Sequence, residues 1–428
     1  MKVARLCCLT SLILLLGAGA VQAETMSAGM LQVKNWQSRA VRGDAKSFAA
    51  IVAAAKRGDS YAQCVLGVMY GNGQGVGRNY KQAEKWFLLS AEQGYSEAQF
   101  NLGLMYDRGL GVQEDLIEAL RWYRKAATQG LPKAQYTLAQ MHDAGVGVPQ
   151  SDIEALRWLR QAAEQDYPES QNDLGVMYET GQGVPVDPVE ALKWYRLAAE
   201  QGYVEAQYNL GVMYSKGTAM PRNDAIAAKW FQRTAERGLA EAQYNLGNFY
   251  LVGRGVPKNE NLATRWYKKA AEQGLSDAQY ALGVSYDKGL GVAKNSTIAV
   301  GWFLKAAEQG VIEAQYNLAV HYAKGEAVRQ NLPAAVNWYR KAADQGYALA
   351  QSNLGVMYAN GQGVRQDDAE AYKWLLISKN NSAPESKVYA KAVSVMAVLE
   401  KLMSPDQLVR ARLAAESWHA VSQPAAAR

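Results

Sequence analysis

The residues of this chain that could take part in chemistry are few, and most of them recur at a fixed spacing. Four glycines, Gly71, Gly73, Gly75 and Gly77, occur within seven residues. A glycine-rich loop can hold a phosphate when a strand precedes it and a helix follows. Here Gly-x-Gly-Val returns in most 36-residue units, with no strand pattern before it. We therefore interpret it as a tight turn, in which glycine supplies the left-handed backbone.

Carboxylates show the same repetition at the ends of predicted helices. The recurring glutamates are Glu92, Glu164, Glu200, Glu236, Glu272 and Glu308. A general acid and base pair is a singular arrangement in which two environments drive two pKa values apart. A ladder of equivalent glutamates instead indicates a structural or solvating role.

Histidine and cysteine are too scattered to predict a metal or a nucleophile. His142 and His321 replace tyrosine or methionine at core-type positions, and His419 lies near the C-terminus. Cys64 replaces a Tyr or Phe of later units. Because a structural zinc site needs four ligands in one place, the sequence predicts no metal, no cofactor and no catalytic residue.

Self-similarity dominates the chain. Four residue types recur every 36 residues without insertion or deletion: Trp from Trp86 to Trp374, Gln from Gln63 to Gln351, Leu from Leu66 to Leu354, and Ala from Ala83 to Ala371. A fixed period of this length is the signature of a repeat architecture.

One unit, residues 202 to 237, shows the secondary structure. Apolar residues have the helical period over Glu205–Lys216 and again over Asp224–Arg237, and Gly217 and Gly238 follow the two runs. Two short helices with a glycine-rich loop between them form an αα-hairpin. Since one hairpin buries little surface alone, we predict an all-α solenoid of stacked hairpins.

The repeated motif resembles the Sel1-like repeat, a relative of the tetratricopeptide repeat. The motif reads Ala-Gln-Tyr-Asn-Leu-Gly-x-Met-Tyr, then Gly-x-Gly-Val, then Ala-x-x-Trp-Tyr-x-x-Ala-Ala-Glu-Gln-Gly. The resemblance implies a right-handed superhelix in which the first helix of each pair lines the concave face. It also implies a protein that binds other proteins.

The predicted domains follow from this repeat. Nine repeats occupy 62–379, a leader and a half-repeat cap occupy 24–61, and capping helices occupy 380–428. The half-repeat is expected over Ala45–Arg57, and a helix with a capping box is expected to begin at Ser404.

The first 23 residues have the form of a secretory signal peptide. Lys2 and Arg5 precede an apolar segment, and cleavage is expected after Ala23. The apolar segment is too short to span a bilayer, and no later segment approaches the required length. Removal of Lys2 and Arg5 reduces the formal charge from +6 to +4, and no basic stripe for nucleic acid is visible. We expect a periplasmic or secreted protein.

A helical wheel indicates where a partner would bind. On the first helix, Tyr208 and Val212 lie opposite the core residues and have no evident packing role in their own hairpin. We name this column and its Asn and Val neighbours the strip, and predict that it binds a protein or peptide on the concave face. Its members are Phe100, Asn101, Tyr136, Tyr208, Asn209, Val212, Tyr244, Asn245, Tyr280, Val284, Tyr316 and Asn317.

The sequence therefore predicts an exported scaffold for protein–protein interaction and not an enzyme. Packing between adjacent repeats is an equal alternative for the strip. A cell-envelope enzyme acting on peptidoglycan or β-lactams is the alternative function, although the cysteine pairs of Sel1-like proteins linked to β-lactams are absent from these repeats. A eukaryotic lumenal adaptor of protein degradation would use similar repeats.

Overall fold

The computed structural model describes residues 27–421, and this part of the chain is built from 22 α-helices with no strand. The signal peptide and its cleavage site lie outside the described residues. Two compact units divide between Met213 and Tyr214, within one helix. Inside each unit, consecutive helices pack against one another as antiparallel hairpins.

Each repeat contributes two helices. The first helices are α3 (Ser60–Asn72), α5 (Ser96–Arg108), α7 (Pro132–Ala144), α9 (Pro168–Thr180), α11 (Val204–Lys216), α13 (Ala240–Val252), α15 (Ser276–Lys288), α17 (Ile312–Lys324) and α19 (Ala348–Asn360). The second helices are α4 (Tyr80–Glu92), α6 (Leu116–Thr128), α8 (Asp152–Ala163), α10 (Pro188–Glu200), α12 (Asp224–Glu236), α14 (Glu260–Glu272), α16 (Ser296–Glu308), α18 (Leu332–Asp344) and α20 (Asp368–Asn380).

Local signals explain these boundaries. Every second helix begins after Asn, Asp or Ser, and the Asn259 side chain, for example, accepts a hydrogen bond from the Leu262 N–H. Such a cap contributes about 1 kcal/mol to helix stability. The first helices end at a left-handed glycine, as at Gly289 with φ of 74°.

The glycine-rich turns also join neighbouring repeats. A Cβ added at Gly291 would overlap the carbonyl oxygen of Glu260, the first residue of α14 in the preceding repeat. Glycine is therefore favoured in this turn, both by its φ of 67° and by this close backbone approach. This contact supports the interpretation of Gly-x-Gly as a structural turn.

The glutamine column forms a buried polar ladder between hairpins. Gln279 Nε2 donates to the Ala271 carbonyl at the end of α14, 3.3 Å away. Gln309 Nε2, just after α16, donates to Gln279 Oε1 at 2.8 Å. One side chain thus links three consecutive helices and satisfies a helix-end carbonyl.

Further helices lie at both ends of the repeats. On the N-terminal side are α1 (Ala28–Ala40), which the sequence reading did not predict, and α2 (Ala45–Lys56). Gln63 Nε2 donates to the Ala55 carbonyl of α2 at 3.0 Å, so α2 occupies the place of a second helix. On the C-terminal side are α21 (Lys387–Leu402) and α22 (Pro405–Glu416), and α22 begins with the expected capping box of Ser404 and Gln407.

Candidate functional site

The residues of the strip all lie on first helices, and they divide equally between the two units. The N-terminal unit holds Phe100, Asn101, Tyr136, Tyr208, Asn209 and Val212, whereas the C-terminal unit holds Tyr244, Asn245, Tyr280, Val284, Tyr316 and Asn317. Asn101 is buried, and the other eleven are half-buried. Each aromatic residue therefore leaves part of its surface open.

The aromatic residues of the strip pack within their own hairpins. Ring centroids are 5.8 Å apart between Tyr244 and Tyr267 and 5.9 Å apart between Tyr280 and Phe303, each pair joining the two helices of one repeat. The sequence-based argument that the strip has no packing role in its hairpin is therefore wrong. The wheel failed because the aromatic side chain of the second helix is long enough to reach this side of the first helix.

Phe100 is similarly engaged. Its ring centroid lies 5.3 Å from that of Tyr123 in α6, and the Lys133 ammonium lies 4.6 Å from the Phe100 centroid. Burial lowers the pKa of Lys133, although the Glu97 carboxylate opposes this effect. Phe100 is therefore held both by its own hairpin and by Lys133 of the next repeat.

Polar side chains of the strip connect adjacent repeats. Tyr136 Oη donates to Asp173 Oδ2 at 3.1 Å, and Asn209 Nδ2 donates to Asn172 Oδ1 at 3.0 Å. In the C-terminal unit, Tyr280 is hydrogen bonded to Asn317 of the next repeat. These bonds support a packing role for the strip, and its binding role stays a prediction.

A column of acidic residues lies beside the strip in the C-terminal unit. Glu241, Asp277 and Glu313 are exposed at the second position of α13, α15 and α17. Burial and the charges of Asp277 and Glu313 raise the pKa of Tyr244, and burial and Glu313 raise that of Tyr280. The carboxylates therefore act electrostatically on the tyrosines. These acidic residues recur every 36 residues in the sequence, but they are polar and so do not belong to the apolar positions opposite the core.

Cys64, His142 and His321 are buried. Cys64 has no exposed surface, and burial raises the pKa of its thiol. His321 Nδ1 donates to the Glu326 carbonyl at 3.1 Å, and its ring lies 5.9 Å from that of Phe303. His142 is also buried, with 9% of its surface exposed. The expectation that His142 and His321 are packed side chains is confirmed.

Residues 27–421 contain neither a cluster of metal ligands nor a helix that could cross a membrane. No three His, Cys, Asp or Glu side chains are grouped as metal ligands would be within this range. None of its helices has the length and apolar character needed to cross a bilayer.

Stacked hairpins with a 36-residue period define an all-α repeat solenoid. The profile of the Sel1 repeat matches nine consecutive segments, 60–95, 96–131, 132–167, 168–203, 204–239, 240–275, 276–311, 312–347 and 348–381. These matches cover most of the chain, which belongs to the Sel1 repeat family.

Solved structures agree with this assignment. A protective antigen of uropathogenic Escherichia coli strains, which displays an SLR fold, is 34% identical over 86% of this chain and 93% of its own, with a TM-score of 0.51. A Sel1 repeat protein from Oxalobacter formigenes is 34% identical over 73% of this chain and 89% of its own, with a TM-score of 0.55. No curated protein matches significantly. Sel1 repeats generally mediate protein–protein interactions, and their proteins are typically non-enzymatic scaffolds.

Proposed function

We propose that this protein is a non-enzymatic scaffold that binds an extended segment of a partner protein along the strip of its C-terminal unit. The observation that carries the proposal is the regular presentation of half-buried tyrosines beside exposed carboxylates in three successive repeats. Tyrosine provides rigid, amphipathic contact area, and Asn245 and Asn317 provide amides that suit a peptide backbone. The Sel1 resemblance implies that the first helices, which carry the strip, line a concave face, and this implication supports the proposal.

The charge of the strip favours a partner segment that carries lysine or arginine. Glu241, Asp277 and Glu313 would attract cationic side chains, and the tyrosine faces would accept them by cation–π contact. Because opposite charges act mainly on specificity and association rate, the segment should also bind through apolar contacts with the tyrosines.

The test replaces only the charges of the column. In the variant Glu241→Gln, Asp277→Asn, Glu313→Gln, affinity for a fluorescent Lys- and Arg-containing peptide, measured by anisotropy at low salt, should fall about tenfold or more. The Tm should fall only slightly, because the three exposed side chains lose a modest interaction with the N-termini of their helices.

A matched control neutralises three exposed glutamates, each five residues before a member of the acidic column and at the end of the preceding repeat's second helix. The variant Glu236→Gln, Glu272→Gln, Glu308→Gln removes the same charge from the ends of second helices. It should retain the peptide affinity. Equal losses of peptide affinity in both variants would show that the effect comes from net charge alone. Unchanged affinity in both variants would refute the proposed site.

We also propose that the protein acts in the periplasm, on the basis of residues 1–23. The alternative of an enzyme acting on peptidoglycan or β-lactams has no observation in its favour.

A further inference from the structure

One repeat breaks the tyrosine column that ends the first helices. Eight repeats have tyrosine there, at Tyr70, Tyr106, Tyr178, Tyr214, Tyr250, Tyr286, Tyr322 and Tyr358, whereas the third repeat has His142. The substitution removes a hydroxyl group and part of a ring at one place in the N-terminal unit.

The tyrosine hydroxyl has a partner in equivalent places. Arg160 Nη2 in α8 donates to the Tyr178 hydroxyl at 2.8 Å, and Arg340 donates to Tyr358 in the same way. The residue equivalent to Arg160 one repeat earlier is Arg124 in α6, and its counterpart across the repeat boundary is His142. Arg124 thus lacks the hydroxyl acceptor that Arg160 has.

A cleft of about 520 Å³ lies where this pair would be. It is formed between α6, α7 and α8, and its lining includes Arg124, His142, Arg157 and Gln161. A second cleft of about 350 Å³ shares Arg124 and is lined by Ile117 and Leu120. Ile117 is 78% exposed, so an apolar surface adjoins the polar cleft.

His142 has unused hydrogen-bonding capacity at this place. Its Nδ1 is enclosed without a hydrogen-bond partner, although the ring lines the cleft. An enclosed acceptor without a donor is tolerated better than an enclosed N–H without an acceptor. The neutral tautomer therefore carries its proton on Nε2, which leaves an N–H to donate into the cleft.

The charges of the cleft select a monoanion. Arg157 is already paired with Glu154, at 3.0 Å, so these two charges offset one another. Arg124 remains as the net positive charge of this lining, and its planar guanidinium matches a carboxylate in bidentate geometry. The adjoining cleft adds Arg121, which is paired with Glu118, and Lys125, which lies over the Trp122 ring. The Gln161 Oε1 accepts from Gln135 Nε2 at 3.3 Å, which leaves the Gln161 amide group as a further donor.

We propose that the cleft between α6, α7 and α8 binds a carboxylate that bears an apolar group, with Arg124, His142 and Gln161 as its hydrogen-bond donors and Ile117 and Leu120 beside the apolar group. This site belongs to the N-terminal unit, and the inference does not depend on the proposed function, which concerns the C-terminal unit. A phosphate dianion is disfavoured because Arg157 is already paired with Glu154, which leaves Arg124 as the unpaired cation of this lining.

The presence of only three histidines makes the site observable by NMR. Hexanoate is titrated into the protein, and the imidazole C–H resonances are followed, with that of His142 assigned by its loss in His142→Tyr. The His142 resonance should shift saturably with hexanoate. The affinity obtained in the same way for neutral hexanamide or for inorganic phosphate should be at least tenfold weaker. Equal responses to hexanoate and hexanamide would overturn the anion site, and tighter binding of phosphate would overturn the carboxylate assignment.

Variants separate this site from general surface charge. Arg124→Gln should weaken hexanoate binding about tenfold or more. Arg160→Gln should leave hexanoate binding unchanged, because Arg160 is already hydrogen bonded to the Tyr178 hydroxyl. Equal effects of the two variants would refute the role of Arg124. His142→Tyr should abolish the hexanoate-dependent rise in Tm because the hydroxyl group occupies the cleft. If hexanoate raised the Tm of His142→Tyr as much as that of the wild type, the site would be refuted. Should His142→Tyr fold poorly, Arg124→Gln provides the same test.

Discussion

The contacts of Gln279 explain why glutamine recurs every 36 residues in the sequence. A polar side chain at a buried position is costly unless it is hydrogen bonded. Here the amide nitrogen donates to the end of α14, and the amide oxygen accepts from Gln309 after α16. A leucine or methionine would fill the space but would leave a buried carbonyl without a donor. The glutamine column is therefore required by repeat stacking, and it is not available for ligand chemistry.

At the same scale, substitutions at Gly291 and Ala327 should change the free energy of unfolding in opposite directions. They occupy equivalent turns, and both have φ of 67°. Gly291→Ala should lower the free energy of unfolding by about 1–3 kcal/mol, because it adds left-handed strain and an overlap with the Glu260 carbonyl. Ala327→Gly removes strain at some entropic cost and should raise stability by up to about 1 kcal/mol.

Urea unfolding of both variants checks these signs. The exposed Gly301 in α16, with nothing near its missing Cβ and no left-handed φ, provides the control. Gly301→Ala should stabilise the protein by about 0.5–1 kcal/mol through helix propensity. Destabilisation by Gly301→Ala, or neutrality of Gly291→Ala, would contradict the reason given for glycine in the turns.

At the scale of elements, periodicity was sufficient to predict the helix pairs. The runs predicted over Glu205–Lys216 and Asp224–Arg237 are α11 (Val204–Lys216) and α12 (Asp224–Glu236). The candidate site was less predictable. A helical wheel shows how residues are arranged around one helix, but it does not show which of them contact the neighbouring helix. The contacts of Tyr244 with Tyr267 and of Tyr280 with Asn317 both cross between helices. The cleft at His142 had a visible signal, a break in the tyrosine column, but its meaning depended on the partner Arg124.

The repeat itself is expected to be the removable element. Deletion of 276–311 takes out α15 and α16 and joins Leu275 to Ile312, which preserves the spacing between a second helix and the next first helix. Since packing is between consecutive helices, the shortened protein should fold with unchanged helicity per residue. Its m-value in urea should fall by about a tenth, in proportion to the surface exposed on unfolding.

An 18-residue deletion provides the matched comparison. Removal of 276–293 takes out α15 and its turn, so that α16 would follow α14 directly. Its apolar face would then meet a second helix in place of a first helix, and we expect loss of cooperative unfolding. Cooperative folding of this variant, measured by circular dichroism, would show that the hairpin is not the unit of stability.

At the scale of the whole molecule, export and the thiol content are linked. The chain has three cysteines, and cleavage after Ala23 would remove Cys7 and Cys8 and leave Cys64. A single cysteine cannot form an intramolecular disulfide, so the exported protein would depend on the packing of its repeats for stability. The buried position of Cys64 also protects the thiol in an oxidising compartment, since the thiolate is the reactive form.

Thiol counting on the protein recovered from a periplasmic fraction therefore tests export and burial together. The native protein should not react with a maleimide, because Cys64 has no exposed surface and burial raises the pKa of its thiol. In urea, one thiol per chain should react, and the mass should correspond to a chain that begins at Glu24. Three reactive thiols in urea, or a mass that includes residues 1–23, would contradict cleavage. Reaction of the native protein would instead show that the first helix α3 opens on the timescale of labelling.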